Sequence, residues 1–147
     1  MTDILSFNTW VHPHTNLETA YVHMRGPMHT EADADLFQAK LNLAIYGNNE
    51  DYKHVVCRFL VVDMKELNSI SGRGLSILSS KTSRVREIRG VAYLVAPNER
   101  VLARFQRTMG AVFDEIYEVV PDVETANQAI AAARAIQANA DTTTSSD

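Results

Sequence analysis

The run His54-Val-Val-Cys-Arg-Phe-Leu-Val-Val-Asp63 limits the fold more than any other part of the chain. Its interior is almost continuously apolar and rich in β-branched residues, which favour extended backbone. A strand that is apolar on both faces has to be covered on both faces, so this one belongs at the centre of a sheet with a layer on each side.

The flanking sequence supplies those layers. Residues Leu5 to His12 and Thr19 to Arg25 alternate, with Leu5, Phe7, Thr9, Val11 and then Ala20, Val22, Met24 on one side and the turn-like Pro13-His-Thr-Asn16 between them. That pattern predicts an N-terminal hairpin. Gly26-Pro27 breaks the chain, and Thr30 with Asp33 three residues on is an N-cap signature for a helix carrying Phe37, Leu41 and Ile45 and ending at Gly47. Leu75, Leu78, Thr82 and Val85 fall at helical spacing and predict a second helix that ends near Gly90. Val91 to Ala96 is the next strand, stopped by Pro97. Asn98 can cap a third helix with Val101, Leu102, Phe105 and Met109 inward and Gly110 at its exit. Ile116 to Val120 reads as a short strand, and Pro121-Asp122 opens a last helix through Val123, Ala126, Ile130 and Ala133 to about Ala138. The alternation implies right-handed crossovers and an α/β domain: a mixed, mostly parallel sheet of four or five strands with about four helices. Residues 1–140 are expected to form this one domain. The tail 141–147, Asp-Thr-Thr-Thr-Ser-Ser-Asp, has no apolar anchor and is expected to be disordered.

Charge and cysteine content exclude several function classes. Over 147 residues, 14 Lys and Arg stand against 18 Asp and Glu, a net charge of -4 that argues against general affinity for nucleic acid or anionic membrane. A single cysteine removes any internal disulfide framework or cysteine-rich zinc module. With no basic, apolar leader and no run long enough to span a bilayer, a cytoplasmic location is expected, without membrane insertion.

Most chemical readings are weak. His12 and His14 share a strand face, but further ligands from His23 or His29 would have no recognisable metal spacing, so they read as exposed hairpin histidines. Cys57, inside the most apolar strand, reads as a small core residue rather than a nucleophile. Gly72 and Gly74 precede a helix but lack the Gly-Lys-Ser/Thr ending of a phosphate loop. No Gly-x-Ser-x-Gly elbow and no acid/base carboxylate pair is evident, so the chain is not read as an enzyme and no cofactor is expected. The charge distribution says more. Arg73, Lys81, Arg84, Arg86, Arg89, Arg100, Arg104 and Arg107 face only Glu87 and Glu99 in the same stretch, a local +6 beside -10 elsewhere. Two readings stand: a solvated helix face, or a surface that steers an acidic protein partner.

The segment Val61-Val-Asp63-Met-Lys-Glu-Leu67-Asn-Ser-Ile70-Ser71-Gly72-Arg73-Gly74-Leu75 resembles the STAS domain family, the anti-sigma factor antagonists and their relatives. That family pattern is a buried strand ending in Asp, an apolar residue four later, then apolar-Asp-Ser-Ser-Gly-Leu opening a helix. Leu67, Ile70, Gly74 and Leu75 match it. Gly26-Pro-Met28, the stretch from Tyr93 to Gly110 and the closing strand and helix of Ile116 to Ala129 extend the likeness to roughly Thr19 to Ala138.

The resemblance implies a non-enzymatic protein-binding module in a bacterial partner-switching pathway. Its partner would be an ATPase-fold anti-sigma factor or serine kinase, with other STAS proteins also possible partners. The docking surface would comprise Met28, Thr30, Ser69, Ser71, Gly72, Arg73, Gly74 and Leu75. In the family the first serine of the loop is phosphorylated; here that position holds Gly72, which has no hydroxyl, and the preceding Asp position holds Ser71. Three outcomes stay open. Ser71, or Ser69, receives the phosphate; or the domain binds constitutively; or it belongs to a branch without phosphorylation, such as stressosome-like scaffold subunits or the cytoplasmic STAS subunit of a lipid-transport complex. Arg73 is expected to offer a fixed cation to a partner carboxylate.

Overall fold

The computed structural model describes residues 7–15, 19–47 and 55–145. Among them five strands form one sheet in sequential order: β1 (Asn8–Thr15), β2 (Thr19–Pro27), β3 (Phe59–Ser69), β4 (Val91–Val95) and β5 (Tyr117–Val120). β1 pairs antiparallel with β2, Val11 opposite Val22, and the other neighbours are parallel. The hairpin is therefore present. Its first strand runs on through Pro13, which an edge strand tolerates because no further strand needs the missing N–H. Leu5, Asn16 and His54 lie outside the described residues.

Five helices connect or cover the strands: α1 (Glu31–Tyr46), α2 (Gly72–Glu87), α3 (Glu99–Met109), the short α4 (Val112–Ile116) and α5 (Val123–Ser145). Successive right-handed crossovers that all step the same way across the sheet put their helices on one face. Phe37, Leu41, Leu60, Val62, Leu78, Val101 and Phe105 share the core on that side. The opposite face is left to α5, whose Ala126 and Ile130 cover Phe59, Val61, Tyr93, Val95 and Val120. β3 is third of five, with Leu60 and Val62 in one layer and Phe59 and Val61 in the other. The near-continuous apolar run follows from this double burial.

Two boundaries differ from the sequence reading. β3 begins at Phe59, because residues before it turn in beneath α1: the Val56 N–H donates to the Ile45 carbonyl at 2.8 Å. It also continues past Asp63 to Ser69, across a register shift opposite His23 and Arg25. The Asp63 carboxylate explains how the strand passes this point, since it accepts the Lys65 N–H at 3.2 Å and meets His23 Nδ1 at 3.1 Å. The second difference is at the end of the chain. α5 runs to Ser145 rather than to about Ala138; alanines through Ala140 favour helix, and no Gly or Pro interrupts the residues beyond them. α4 is additional; its Phe113 packs on Phe105 and Tyr117 in an aromatic cluster with centroids 5.5–5.7 Å apart.

Candidate docking site

Because β2, β3 and β4 are parallel, the helices that follow them begin at the same edge of the sheet. The three N-caps are Thr30, Ser71 and Asn98. Thr30 and Asp33 form a reciprocal capping box: the Thr30 hydroxyl accepts the Asp33 N–H at 3.1 Å, and the Asp33 carboxylate accepts the N–H groups of Thr30 and His29, each at 3.1 Å. Slight burial opposes ionisation of Asp33, but these N–H donors outweigh it and hold the carboxyl below its usual value. Ser71 caps α2 by accepting the Gly74 N–H on Oγ at 3.1 Å. Asn98 caps α3 through the Val101 N–H at 2.8 Å, while its amide donates to the carbonyls of Leu67 at 3.0 Å and Asn68 at 3.3 Å. The Met28 N–H donates to the Ser69 carbonyl at 3.0 Å. These bonds lace the ends of β2 and β3 and the start of α3 around the loop from Asn68 to Ser71.

The eight residues expected at the docking surface divide by burial. Met28, Gly74 and Leu75 are buried; Ser69, Ser71 and Arg73 are half-buried; Thr30 and Gly72 are exposed. Gly74 is required by packing, because a Cβ there would collide with the Met28 sulfur. Gly72 is different. A Cβ at this first helical residue would find only an Arg104 guanidinium nitrogen, 3.5 Å away. The first helical position of α2 is therefore open to a side chain and overlooked by a cation.

Arg73 does not present a free cation. Its guanidinium binds Glu31 Oε2 and Asp35 Oδ1 on α1, both at 2.6 Å, and clamps the starts of α1 and α2 together. The Asp35 hydrogen bond, with help from Glu31, raises its pKa further. The basic layer read from the sequence likewise separates in space. Arg84 pairs with Glu87 at 3.2 Å, and Lys81 lies 5.5 Å from the Tyr46 ring centroid. Arg86 and Arg89 line a cleft of about 370 Å³ with Asp114, Glu115 and Glu118 at the opposite edge of the sheet. What remains is the exposed α3 row Arg100, Arg104 and Arg107, none of which is ion-paired among the described residues, with Arg104 reaching the loop at Gly72. Their spacing was visible in the sequence; the approach of Arg104 to Gly72 was not, since it depends on how α3 packs beside α2.

The other chemical readings resolve simply. Cys57 is buried, and desolvation pushes its thiol up to about 12, the signature of a packing residue. Among the described residues no group of three or more His, Cys, Asp or Glu could hold a metal, and no helix is long and apolar enough to cross a membrane.

The STAS domain model matches residues 11–126. The chain belongs to the STAS domain family. Among solved structures it is similar to the anti-sigma factor antagonist SpoIIAA in its unphosphorylated form, at 14% identity and TM-score 0.65, over 84% of this chain and 97% of that one. An anti-sigma factor antagonist from Mycobacterium paratuberculosis matches at 19% identity and TM-score 0.63, over 84% of this chain and 93% of that one. The murine anion transporter Slc26a9 matches at 17% identity and TM-score 0.63, over 88% of this chain but 23% of the transporter. No curated protein matches the sequence.

Proposed function

We propose that this chain is a non-enzymatic interaction module of the anti-sigma factor antagonist kind, acting in the bacterial cytoplasm. It binds an ATPase-fold anti-sigma factor or serine kinase through the edge formed by Thr30, Ser69, Ser71, Gly72 and the α3 arginines. The observation that carries this reading is Gly72, exposed at the first turn of α2 with the Arg104 guanidinium beside it. A partner surface with carboxylates fits that row of cations, and the absence of a hydroxyl at 72 makes the contact independent of phosphate at this position. Arg73 supports the site by fixing α1 against α2 and not by reaching outward.

The test is titration of the purified protein with serine-kinase anti-sigma factors from the same genome. Binding that survives ATP, and that Arg104→Glu abolishes while the fold is unchanged, is the expected result. Loss of binding on ATP addition with phosphate mapped to Ser71 or Ser69 would restore a switch at a neighbouring hydroxyl. If none of these partners binds, the second reading takes over: a constitutive scaffold subunit or the STAS subunit of a transport complex. The likeness to part of a membrane anion transporter favours it. Co-purification with a large STAS assembly or a membrane transporter would identify that case.

A further inference from the structure

α1 has two apolar faces. Phe37, Leu41, Ala44 and Ile45 pack into the core, and at 100° per residue Ala32, Leu36, Ala39 and Leu43 fall in a straight row on the opposite side. All four are exposed, Leu36 at 36% and Leu43 at 42%. Their spacing of four, three and four is that of a helix–helix seam, not of a solvated surface. We propose that this row is the interface of a homodimer, in which α1 packs antiparallel on α1 of a second copy.

The sequence of the row is what selects a second copy as its occupant. A two-fold axis between Leu36 and Ala39 sets Leu36 against Ala39 of the other copy and Ala32 against its Leu43. Each large side chain then meets a small one, in both directions, as an isologous contact requires. A parallel arrangement would set leucine on leucine and leave gaps at the alanines. Charge agrees with the antiparallel choice. Lys40 of each helix comes beside Asp33 in the acidic first turn of the other. Glu31 and Asp35 lie on the other flank, toward α2, where Arg73 of the same chain holds them. The row shares no residue with the proposed docking edge, although Ala32 lies two residues past Thr30.

Sedimentation velocity across a concentration series tests this directly. A monomer–dimer equilibrium in the micromolar range is expected, with Leu36→Glu and Leu43→Glu each weakening it by about tenfold or more while circular dichroism stays unchanged. A mixture of the single variants Leu36→Cys and Ala39→Cys should form a cross-linked dimer under mild oxidation, and neither variant alone should do so. A monomer at all concentrations refutes the proposal. So does a dimer untouched by both glutamate substitutions, or one in which each cysteine variant cross-links to itself.

Discussion

Two glycines in one helical turn should respond oppositely to the same substitution. Gly72→Ala adds a methyl into open space with a 3.5 Å contact to a flexible guanidinium, so it removes unfolded-state entropy without strain. A gain of about 0.5 kcal/mol is expected, since the first helical position realises only part of the propensity difference. Gly74→Ala receives the same entropic benefit but drives its Cβ into the Met28 sulfur, with Ile70 Cγ1 at 3.1 Å and Ser71 Oγ at 3.3 Å closing the other directions. Met28 is fully buried, so its flexible thioether has to displace core neighbours to make room. Overpacking of this kind costs about 1–3 kcal/mol, which outweighs the entropic term and leaves a net loss of roughly 1–2 kcal/mol. The two variants should therefore differ by about 2 kcal/mol in urea denaturation, or about 4–8 °C in melting temperature for a chain of this size. A double-mutant cycle isolates the cause. Met28→Ala alone should cost about 2–5 kcal/mol, and combined with Gly74→Ala distinctly less than the sum of the two, because the new methyl fills part of the cavity. Equal stability of the two alanine variants, or strict additivity with Met28→Ala, would refute the packing argument.

Asp33→Ala removes half of the α1 capping box and should cost about 1 kcal/mol near neutrality. Because the folded carboxyl lies below its ordinary 3.8, its contribution is fully present above the unfolded value and lost as pH falls through the folded one. Wild type and variant should therefore converge in acid, as urea midpoints measured down the pH scale will show. Arg73→Ala should lower the midpoint only slightly, and the difference should shrink in high salt, because the clamp to Glu31 and Asp35 is exposed. Cys57, with its thiol near 12, should have roughly one part in ten thousand as thiolate at pH 8, so a thiol reagent should label it only when urea unfolds the chain. Rapid labelling in native buffer would contradict the buried placement.

Elements whose side chains face a single environment were legible in the sequence. The hairpin, the central position of β3, the caps Thr30 and Asn98, and the STAS identity were all readable from alternation, apolar runs, capping residues and the loop motif. The start of β3 was not, because Val55 and Val56 are as apolar as the strand itself and only their docking against the end of α1 sets them apart. α4 is too short for periodicity to detect. At the docking edge, the sequence placed Arg73 and Gly72 side by side without revealing that one is bound to α1 and the other lies under α3. Glu31 and Asp35 stand four apart, which marks a shared helix face, but nothing local identifies Arg73 as their partner across more than thirty residues. The two faces of α1 were confounded for a related reason: an exposed apolar stripe and a core stripe are the same letters until burial separates them.

The placement of the proposed docking edge follows from strand order. A sheet whose strands are laid down consecutively, with every crossover on one side, collects the starts of α1, α2 and α3 at the carboxyl ends of β2, β3 and β4. Each start exposes unpaired N–H groups and the positive end of a helix dipole, and each needs a capping side chain there. Thr30, Ser71 and Asn98 meet that need, so polar capping groups, two of them hydroxyls, are gathered at this edge by the requirements of folding before any partner is considered. A loop serine one position further into α2 would have no capping duty and a free hydroxyl. In this chain that position is Gly72, and Ser71 already accepts a backbone N–H. A phosphate added to Ser71 would go to the residue that is holding the start of α2 in place. The switch and the fold would then share one hydroxyl, which is the physical reason to expect this surface to work without one.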